Sequence, residues 1–523
     1  MRESGIARHV GAIGLSTAIS RILGYTRDVL IASQFGTGLV ADAFFVAYRI
    51  PNLLRRLLGE GALSASFIPV FTEQLETRGP AEARALLQSL FIRFLALLAG
   101  LVVLGMVLTP WLVAVIAPGF TGNPEKMALT IQLTRVLFPF LVAIGLAALA
   151  LGVLNSLRQF IVPALAPCML SLWEILFLLA ICPILSRPIF GLAMGALLGG
   201  FAQFAFHLPA LRRAGFAPRL AWTAMHPAVK RVGLLMGPAL IGLSVDQVNA
   251  FVDTMCASWL REGSVAALYY SNRVMQLPLA LFGISAATVA LPIMSSASAR
   301  GDLTALRETF SSSVRLALFL TLPATAGLMV LARPIIQLLF ERGEFTSAAT
   351  TATGFALFWF SAGIAAFSAG KVAAGAFYAM QDTKTPVRVA MLAMLVNVVL
   401  NLMVVFVPVL RDTLGVGGLA LATSISGFLN LGVLVVLLRR RLGYLGGRRL
   451  LNACVRIAGA ALGMAVLVAA LARVLPPWPV VIRVPCLILA GVGGYAALSV
   501  LLDVRERHSV KDLLLRRGVA DPE

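Results

Sequence analysis

Long apolar runs recur along the whole chain, and short polar or basic segments separate each run from the next. A run of about 20 apolar residues is long enough for an α-helix to cross the hydrocarbon core of a bilayer. The alternating segments of about ten residues that are typical of membrane β-strands are absent. The pattern therefore predicts an all-α polytopic membrane protein with about fourteen spans. These spans lie near 9–35, 40–71, 86–116, 128–153, 160–184, 187–211, 231–257, 266–298, 312–332, 350–380, 386–408, 415–438, 450–472 and 484–503.

A weak internal repeat relates the second predicted span to the eighth. Arg49 precedes IPNLL and is followed by Pro69, while Arg273 precedes VMQLPLALFG and is followed by Pro292. The eighth span comes six spans after the second, and this even number keeps the two copies in the same orientation. Such a repeat is typical of two six-helix lobes related by an axis along the membrane normal. The predicted domains are 1–225 and 226–445 for the lobes, and 446–523 for two additional helices and a tail.

The basic residues indicate the orientation of the chain. With the N-terminus placed in the cytoplasm, 26 of the 43 Lys and Arg residues fall in inside segments and 8 fall in outside segments. Cytoplasmic loops are enriched in Lys and Arg, so this distribution predicts that both termini are cytoplasmic. It also explains the net charge of +20 without a nucleic-acid partner. The five cysteines are scattered singly, which indicates neither a disulfide framework nor a cysteine metal site.

Nine cations remain inside the predicted spans, and five of them lie in the first two spans. A charge at bilayer depth costs about 2.5–3.5 kcal/mol, so it needs an acid, water or a charged ligand. The fixed fork of arginine donors suits a diphosphate. Structural ion pairing or snorkelling is the alternative, above all for Arg56–Glu60 and Arg93. The cations are Arg21, Arg27, Arg49, Arg55, Arg56, Arg93, Arg135, Arg273 and Lys371, and the acids at this depth are Asp28, Asp42, Glu60, Glu174, Asp246 and Asp253.

Polar residues in three later spans could form a cation site. Asp253 lies in the seventh span, Asn397 and Asn401 are four residues apart in the eleventh, and Thr423 lies in the twelfth. Acid, amide and hydroxyl oxygens together suit Na⁺ or H⁺. Hydrogen bonding between helices is the alternative for Asn and Thr. No catalytic constellation and no phosphate-binding loop of an ATPase occurs, so the sequence favours a transporter without direct ATP drive over an enzyme.

Four stretches carry a resemblance to a known family. SRILGYTRDVLIASQFG, ADAFFVAYRIPNLLRRLLGEGALSASFIPVF, MGPALIGLSVDQVNAFVDT and YYSNRVMQLP resemble the MurJ (MviN) family. Its members are lipid II flippases of the multidrug/oligosaccharidyl-lipid/polysaccharide exporter superfamily. The resemblance implies a V-shaped transporter of fourteen helices in the inner membrane. By alternating access it would move the undecaprenyl-diphosphate-linked peptidoglycan precursor from the cytoplasmic to the periplasmic leaflet, for cell-wall synthesis and cell shape.

The resemblance also implies roles for individual residues. The family's cavity arginines match Arg21, Arg27, Arg55 and Arg273, and its acid in the first outer turn matches Asp42. Asp28 and Arg49 also stand at motif positions. A groove lined by the last two helices would hold the lipid tail. Some members bind Na⁺ through residues that match Asp253, Asn397 and Thr423, and Asn401 stands where those members carry a second acid.

Three other functions remain open at this point. A cation-coupled multidrug exporter would need an acidic or aromatic cavity, and a flippase for another polyprenyl-linked glycan would need similar arginines. A membrane enzyme acting on polyprenyl diphosphates would need an acid/base or metal cluster beside them. Under the favoured reading the partners are lipid II, membrane lipids and cell-wall synthesis or division proteins. No cofactor is expected beyond a coupling ion, Na⁺ or H⁺.

Overall fold

The computed structural model describes residues 3–55, 63–476, 478–504 and 506–507. Within these ranges the chain is helical and has no β-strand, which confirms the all-α class. Eleven helical segments in this part of the chain are long and apolar enough to cross a membrane. The predicted spans 9–35, 40–71 and 231–257 are not among them, so the count of fourteen stays a prediction. The eleven are Pro80–Ile116, Pro124–Ser156, Ile161–Ile184, Pro188–Arg213, Ser264–Ala299, Leu303–Val330, Ser347–Ala379, Lys384–Phe406, Pro408–Leu442, Leu450–Val474 and Val480–Leu501.

The chain forms two compact units. Unit 1 runs to Ala266 and also includes Arg342–Phe345. In this unit α8 packs on α6 and α7, α1 packs on α7, and α2 packs on α5. Its core contains fully buried rings, including Phe67, Phe71 and Phe138. The helices are α1 Glu3–Phe35, α2 Leu39–Leu54, α3 Leu63–Arg78, α4 Pro80–Ile116, α5 Pro124–Leu137, α6 Phe140–Ser156, α7 Ile161–Leu176, α8 Pro188–Arg213 and α9 Pro227–Ser258.

Unit 2 comprises Ala267–Glu341 and begins again at Thr346. Buried side chains of α11, α12, α15 and α17 form its main apolar core. Helix α16 packs on α17, while α18 packs on α12 and α19 on α18. Helix α10, Ser264–Pro278, begins in unit 1 and continues into unit 2. The others are α11 Ser285–Ala299, α12 Leu303–Val330, α13 Ala332–Phe340, α14 Ser347–Ala362, α15 Ile364–Ala379, α16 Lys384–Phe406, α17 Pro408–Leu442, α18 Gly447–Val474 and α19 Val480–Leu501.

The compact units divide at a different place from the predicted domains. The predicted boundary at 225/226 falls inside unit 1, because α9 packs on α3 and α4. The predicted domains are defined by the sequence repeat, and they stay a prediction. In the second of the repeated spans, a π-helical turn at Leu279–Ile284 lies between α10 and α11. In the first, residues 56–62 between α2 and α3 lie outside the described residues.

The turn between α1 and α2 is closed by a distant segment of the chain. The N–H of Glu344 donates to the carbonyl oxygen of Ser33 at 2.9 Å. Gly36 and Gly343 have φ values of +58° and +57°, which side-chain-bearing residues rarely adopt. A Cβ at Gly36 would overlap the Glu344 carbonyl oxygen, and a Cβ at Gly343 would overlap that of Ser33. Two glycines therefore allow the two backbones to lie against each other.

A carboxylate in the loop between α15 and α16 caps the start of α16. Asp382 accepts hydrogen bonds from the backbone N–H and the hydroxyl of Thr385, at 3.0 and 2.7 Å, and it pairs with Arg441 of α17. The Thr385 hydrogen bonds, together with the smaller effect of Arg441, hold the pKa of Asp382 below its ordinary value. This contribution to stability is fully present above the pKa of the unfolded chain. It is lost as the pH falls through the lowered pKa of the folded state.

We expect Asp382→Asn to lower the thermal unfolding midpoint of the purified protein by a few degrees at pH 7. The difference from wild type should shrink as the pH falls below the ordinary pKa of an aspartate and through the lowered pKa of Asp382, because the wild-type carboxylate then becomes protonated. The midpoints can be measured in detergent across this pH range. Asp412→Asn is the matched control, since the side chain of Asp412 is 66% exposed. Equal midpoints for wild type and Asp382→Asn at pH 7 would contradict the role of the cap.

Candidate functional site

One predicted site residue, Arg27, lies in a buried cluster of charges between α1 and α7. Its Nη1 donates to Oε2 of Glu174 at 2.8 Å, and its Nε and Nη2 donate to Oδ1 of Asp28 at 3.0 and 2.7 Å. Arg27 is 8% exposed, Asp28 0% and Glu174 2%. We call these three residues the Arg27 cluster. The structure therefore pairs the neighbouring residues Arg27 and Asp28 of α1 and adds a carboxylate from α7.

The Arg27 cluster combines one cationic group with two anionic groups. Moving an ion out of water costs several kcal/mol, and close ion pairs with good geometry offset this cost. The three hydrogen bonds engage both edges of the guanidinium, so the cluster stabilises the contact between α1 and α7. The same edges are those that a diphosphate would use for bidentate binding. Arg27 is thus partnered by protein carboxylates in this structure.

The other arginines of unit 1 are more accessible. Arg21 lies on an exposed part of α1, six residues and about 9 Å along the helix axis from Arg27. Arg49 and Arg55 are partly buried near the end of α2, and Nε of Arg55 donates to Oδ1 of Asn52 at 2.9 Å. The predicted Arg56–Glu60 pair lies outside the described residues.

Asp42 lies in a second buried network, at the start of α2. Its carboxylate accepts hydrogen bonds from Nζ of Lys126 at 2.7 Å and from the N–H groups of Gly263 and Ala266 at 2.8 and 2.9 Å. The two N–H groups belong to the N-terminus of α10, where a negative charge is stabilised by the helix dipole. Lys126 also lies over the ring of Phe120, 4.2 Å from its centroid. The geometry gives Asp42 a structural role, and its predicted contact with substrate stays a prediction.

Arg273 lies on α10 beyond the unit boundary and is partly buried. Beside it, Nε2 of Gln276 donates to Oδ1 of Asn272 at 2.5 Å, so these neighbours are amides rather than acids. Arg21, Arg27 and Arg55 belong to unit 1, whereas Arg273 belongs to unit 2. Convergence of the four arginines on one ligand therefore stays a prediction.

Three of the four residues of the predicted cation site are neighbours in unit 2. Nδ2 of Asn401 donates to Oδ1 of Asn397 at 3.0 Å, and Nδ2 of Asn397 lies 3.3 Å from Oγ1 of Thr423. Both asparagines are fully buried. Asp253 is partly buried on α9 in unit 1. Asn397 and Thr423 form a hydrogen bond between α16 and α17, which is the alternative role given for these residues in the sequence analysis. The binding of Na⁺ or H⁺ stays a prediction.

An apolar groove of about 780 Å³ lies in unit 2. Helices α12, α18 and α19 supply most of its wall, with Pro278 and Phe282 from the end of α10 and the turn after it. Arg507 is the only charged residue among those that line it. The hydroxyl of Tyr495 is turned to the wall, where it donates to the carbonyl of Phe319 at 2.8 Å. The groove therefore suits an apolar chain, because it offers few polar atoms to a ligand.

Sequence reasoning missed two partners in these sites. Glu174 was one of six acids at bilayer depth, but nothing in the sequence joined it to Arg27, which lies 147 residues away. Lys126 lies between the third and fourth predicted spans and is one of the eight outside cations, whereas the structure buries it against Asp42. The sequence does indicate that Glu174 needs a partner, since it is the only charged residue of α7. Such a residue needs a partner from another helix.

The comparisons with known proteins cover most of the chain. The family model described as "Lipid II flippase MurJ" matches residues 31–489. The chain belongs to the MurJ family. A relative from Vibrio cholerae, named "Probable lipid II flippase MurJ", is 39% identical over 81% of this chain and 81% of its own length. The "Lipid II flippase MurJ" of Burkholderia cenocepacia is 35% identical over 86% of this chain and 87% of its own.

Solved structures agree with membership of the MurJ family. A structure of "Lipid II flippase MurJ, inward closed conformation" matches with a TM-score of 0.79 at 26% identity, over 94% of this chain and 98% of that one. An inward-facing multidrug resistance MATE transporter of the MOP superfamily matches with a TM-score of 0.68 at 16% identity, which shows a shared fold alone. The predicted family and transporter fold are confirmed. The chain is a multi-pass inner-membrane protein, and the orientation of its termini stays a prediction.

The Arg27 cluster predicts a non-additive effect on stability. Arg27→Ala should destabilise the protein by about 3–5 kcal/mol, because it leaves two buried carboxylates without their guanidinium. Adding Glu174→Gln should restore part of the loss, because one of those charges is then removed. Thermal unfolding of the purified variants measures both effects. Arg21→Ala is the control and should unfold like wild type, since Arg21 is exposed. A double variant no more stable than Arg27→Ala would show that the carboxylates do not depend on Arg27.

Proposed function

We propose that this protein is a lipid II flippase. It moves the undecaprenyl-diphosphate-linked peptidoglycan precursor from the cytoplasmic to the periplasmic leaflet, and it carries out no chemical conversion. The observation that carries the proposal is the match to relatives named lipid II flippase over four fifths or more of both chains. Both kinds of surface that such a lipid requires, arginines and an apolar groove, occur in the chain.

The diphosphate headgroup is the part of the substrate that the arginines recognise. Arg21, Arg27, Arg55 and Arg273 supply guanidinium groups, which bind phosphate oxygens in a fixed planar geometry. Arg21 is exposed, and Arg55 and Arg273 are partly buried, so solvent reaches part of this set. Each contact with an ionised phosphate is worth about 1.5–3 kcal/mol. Arg49 and Asp28 complete the proposed set by positioning neighbouring arginines.

The lipid tail is the part of the substrate that the groove in unit 2 accepts. Its wall is formed by aliphatic and aromatic side chains of α12, α18 and α19. The isoprenoid chain of a lipid in the bilayer is already out of water, so the groove offers it van der Waals packing rather than a hydrophobic gain. The proposed role of residues 446–523 is therefore to hold the isoprenoid chain while the headgroup crosses.

Transport by alternating access requires that the substrate bind the two orientations with different affinity. The lobes are proposed to form a V that opens to each side in turn, with both termini cytoplasmic. The membrane potential supplies about 2.3 kcal/mol per elementary charge per 100 mV, and a Na⁺ or H⁺ gradient is the other source of drive. Asp253, Asn397 and Thr423 are the proposed ion ligands, with Asn401 beside them. Cell-wall synthesis or division proteins are the proposed partners.

The test is made in cells depleted of their own lipid II flippase and expressing this chain. Wild type should make lipid II accessible to a periplasmic probe. Arg273→Ala and Arg55→Ala should each reduce this by at least tenfold, the loss expected when one charge-assisted contact is removed. Arg135→Ala is the matched control, because its Nε contacts only the carbonyl of Met106, at 3.3 Å, among the contacts described for it.

Each outcome of this assay has a defined meaning. Accessible lipid II with wild type and with Arg135→Ala, and its loss in the other two variants at equal membrane abundance, supports the proposal. No accessible lipid II with wild type removes the substrate assignment and favours another polyprenyl-linked glycan. Full activity of Arg273→Ala and Arg55→Ala would show that these arginines do not bind the headgroup.

The groove gives a separate prediction about the lipid tail. Gly327 of α12 lines the groove, and a Cβ there would meet only the Met464 methyl group, at 3.8 Å, so a larger side chain projects into free space. Gly327→Phe should slow transport of full-length lipid II about tenfold and have a smaller effect on an analogue with a short isoprenoid chain. Gly100→Phe is the control, since Gly100 is exposed on α4 with open space around it. Equal loss for both chain lengths would contradict a role in tail binding.

A further inference from the structure

We propose that the segment between α8 and α9, residues 214–226, forms a membrane-surface contact that binds anionic phospholipid headgroups. Exposed apolar side chains of this segment enter the interfacial layer of the bilayer, and the basic residues around them pair with lipid phosphates. This surface belongs to unit 1 alone and involves none of the arginines assigned to the transported headgroup. It is therefore independent of the proposed function.

Side chains of α4 hold the non-helical 214–226 segment against that helix. Nε2 of Gln88 donates to the carbonyl oxygen of Ala221 at 3.1 Å, and Nη2 of Arg93 donates to that of Thr223 at 2.9 Å. Non-helical backbone is costly near hydrocarbon unless its polar groups have partners. Because α4 supplies such partners, the segment can lie at the edge of the bilayer with its outer side free to contact lipid.

The outer side of the segment is apolar. Leu220 is 79% exposed, Trp222 71% and Met225 56%, whereas Phe216 is buried. The guanidinium carbon of Arg93 lies 5.5 Å from the centre of the Trp222 ring, so the indole is held over this part of α4. Neighbouring large apolar side chains with such exposure are typical of a surface that contacts a membrane or another protein.

The position of the Trp222 ring along α4 favours a membrane over a protein. Helix α4 is one of the segments long and apolar enough to cross a bilayer. Its exposed apolar surface includes Leu97 and Val103, which are 53% and 63% exposed. Leu97 lies four residues, or about 6 Å, beyond Arg93 along the helix axis. Trp222 therefore lies about one helical turn from the start of this apolar surface, which is the level at which tryptophan is enriched in membrane proteins.

The charge around the apolar residues favours anionic lipids over neutral ones. Residues 212–231 contain five Lys and Arg residues and no acid. Arg212, Arg213 and Arg219 are exposed. Basic residues beside an interfacial aromatic side chain attract anionic headgroups, and each one favours such a lipid by up to about fivefold. Phosphatidylglycerol, with one phosphate and a net negative charge, has the chemistry that this surface fits.

The test places the full chain in nanodiscs that contain brominated phosphatidylcholine or brominated phosphatidylglycerol, because bromine quenches tryptophan on contact. The signal of Trp222 is the difference between wild type and Trp222→Phe. Both lipids should quench it, and phosphatidylglycerol should do so at about half the mole fraction or less. The apparent affinity for phosphatidylglycerol should fall by up to about fivefold in Arg219→Gln, and similarly in Arg212→Gln.

Two controls keep the result specific to this surface. Arg187→Gln should leave the Trp222 signal unchanged, because the exposed Arg187 precedes the other end of α8, about 39 Å away along the helix axis. Thr77→Trp, added to Trp222→Phe, should give a signal that neither lipid quenches. Thr77 is exposed near the start of α4, about 20 Å from Arg93 along that helix.

Each outcome decides the proposal. Quenching of Trp222 by both lipids, with a preference for phosphatidylglycerol that the arginine variants weaken, supports it. Quenching by iodide in the aqueous phase and by neither lipid overturns the membrane contact. Equal quenching by the two lipids overturns the preference for anionic headgroups. If Trp222→Phe does not fold, the total tryptophan fluorescence of wild type and Arg219→Gln is compared instead, and equal quenching of the two by phosphatidylglycerol overturns the proposal.

Discussion

The cost of placing an arginine among apolar helices is the constraint on which unit 1 depends. Arg27 meets this cost with two carboxylates at 2.7–2.8 Å, one from its own helix and one from α7. The cluster joins α1 to α7, and α7 in turn packs on α8. Arg27, which is proposed to bind the headgroup, therefore also holds α1 against α7. A single substitution at Arg27 is expected to change both the stability and the proposed binding.

Asp42 shows a different solution to the same problem. Its carboxylate is matched by one cation, Lys126, and by two N–H groups at the start of α10. This network joins α2 to the start of α10, as the Arg27 cluster joins α1 to α7. The apolar groove of unit 2 differs from both networks, since Arg507 is the one charged side chain among the described residues that line it.

The fold class, the family and most of the apolar segments could be predicted from the sequence, because long apolar runs and the opening motif are local signals. Adjacency of Asn397, Asn401 and Thr423 could be predicted as well, since their spans are consecutive and polar groups in spans seek one another. The pairing of Arg27 with Glu174 and of Asp42 with Lys126 could not be predicted from the sequence. Glu174 and Lys126 reach them across 147 and 84 residues, and only tertiary packing brings those helices together. The division of the chain at Ala266 depends equally on packing, that of α9 against α3 and α4.

The segment Arg342–Phe345 has a consequence for the order of folding during synthesis. It completes unit 1 by covering the α1–α2 turn, yet the ribosome makes it after residues 267–341 of unit 2. Chains grow at about 5–20 residues per second, and Glu344 follows Ser33 by 311 residues, so the turn exists for about 15–60 s before its backbone partner is made. During that interval the carbonyl of Ser33 must be satisfied by water, lipid headgroups or the translocation machinery. Unit 1 is thus first in the sequence but is completed late in its biogenesis.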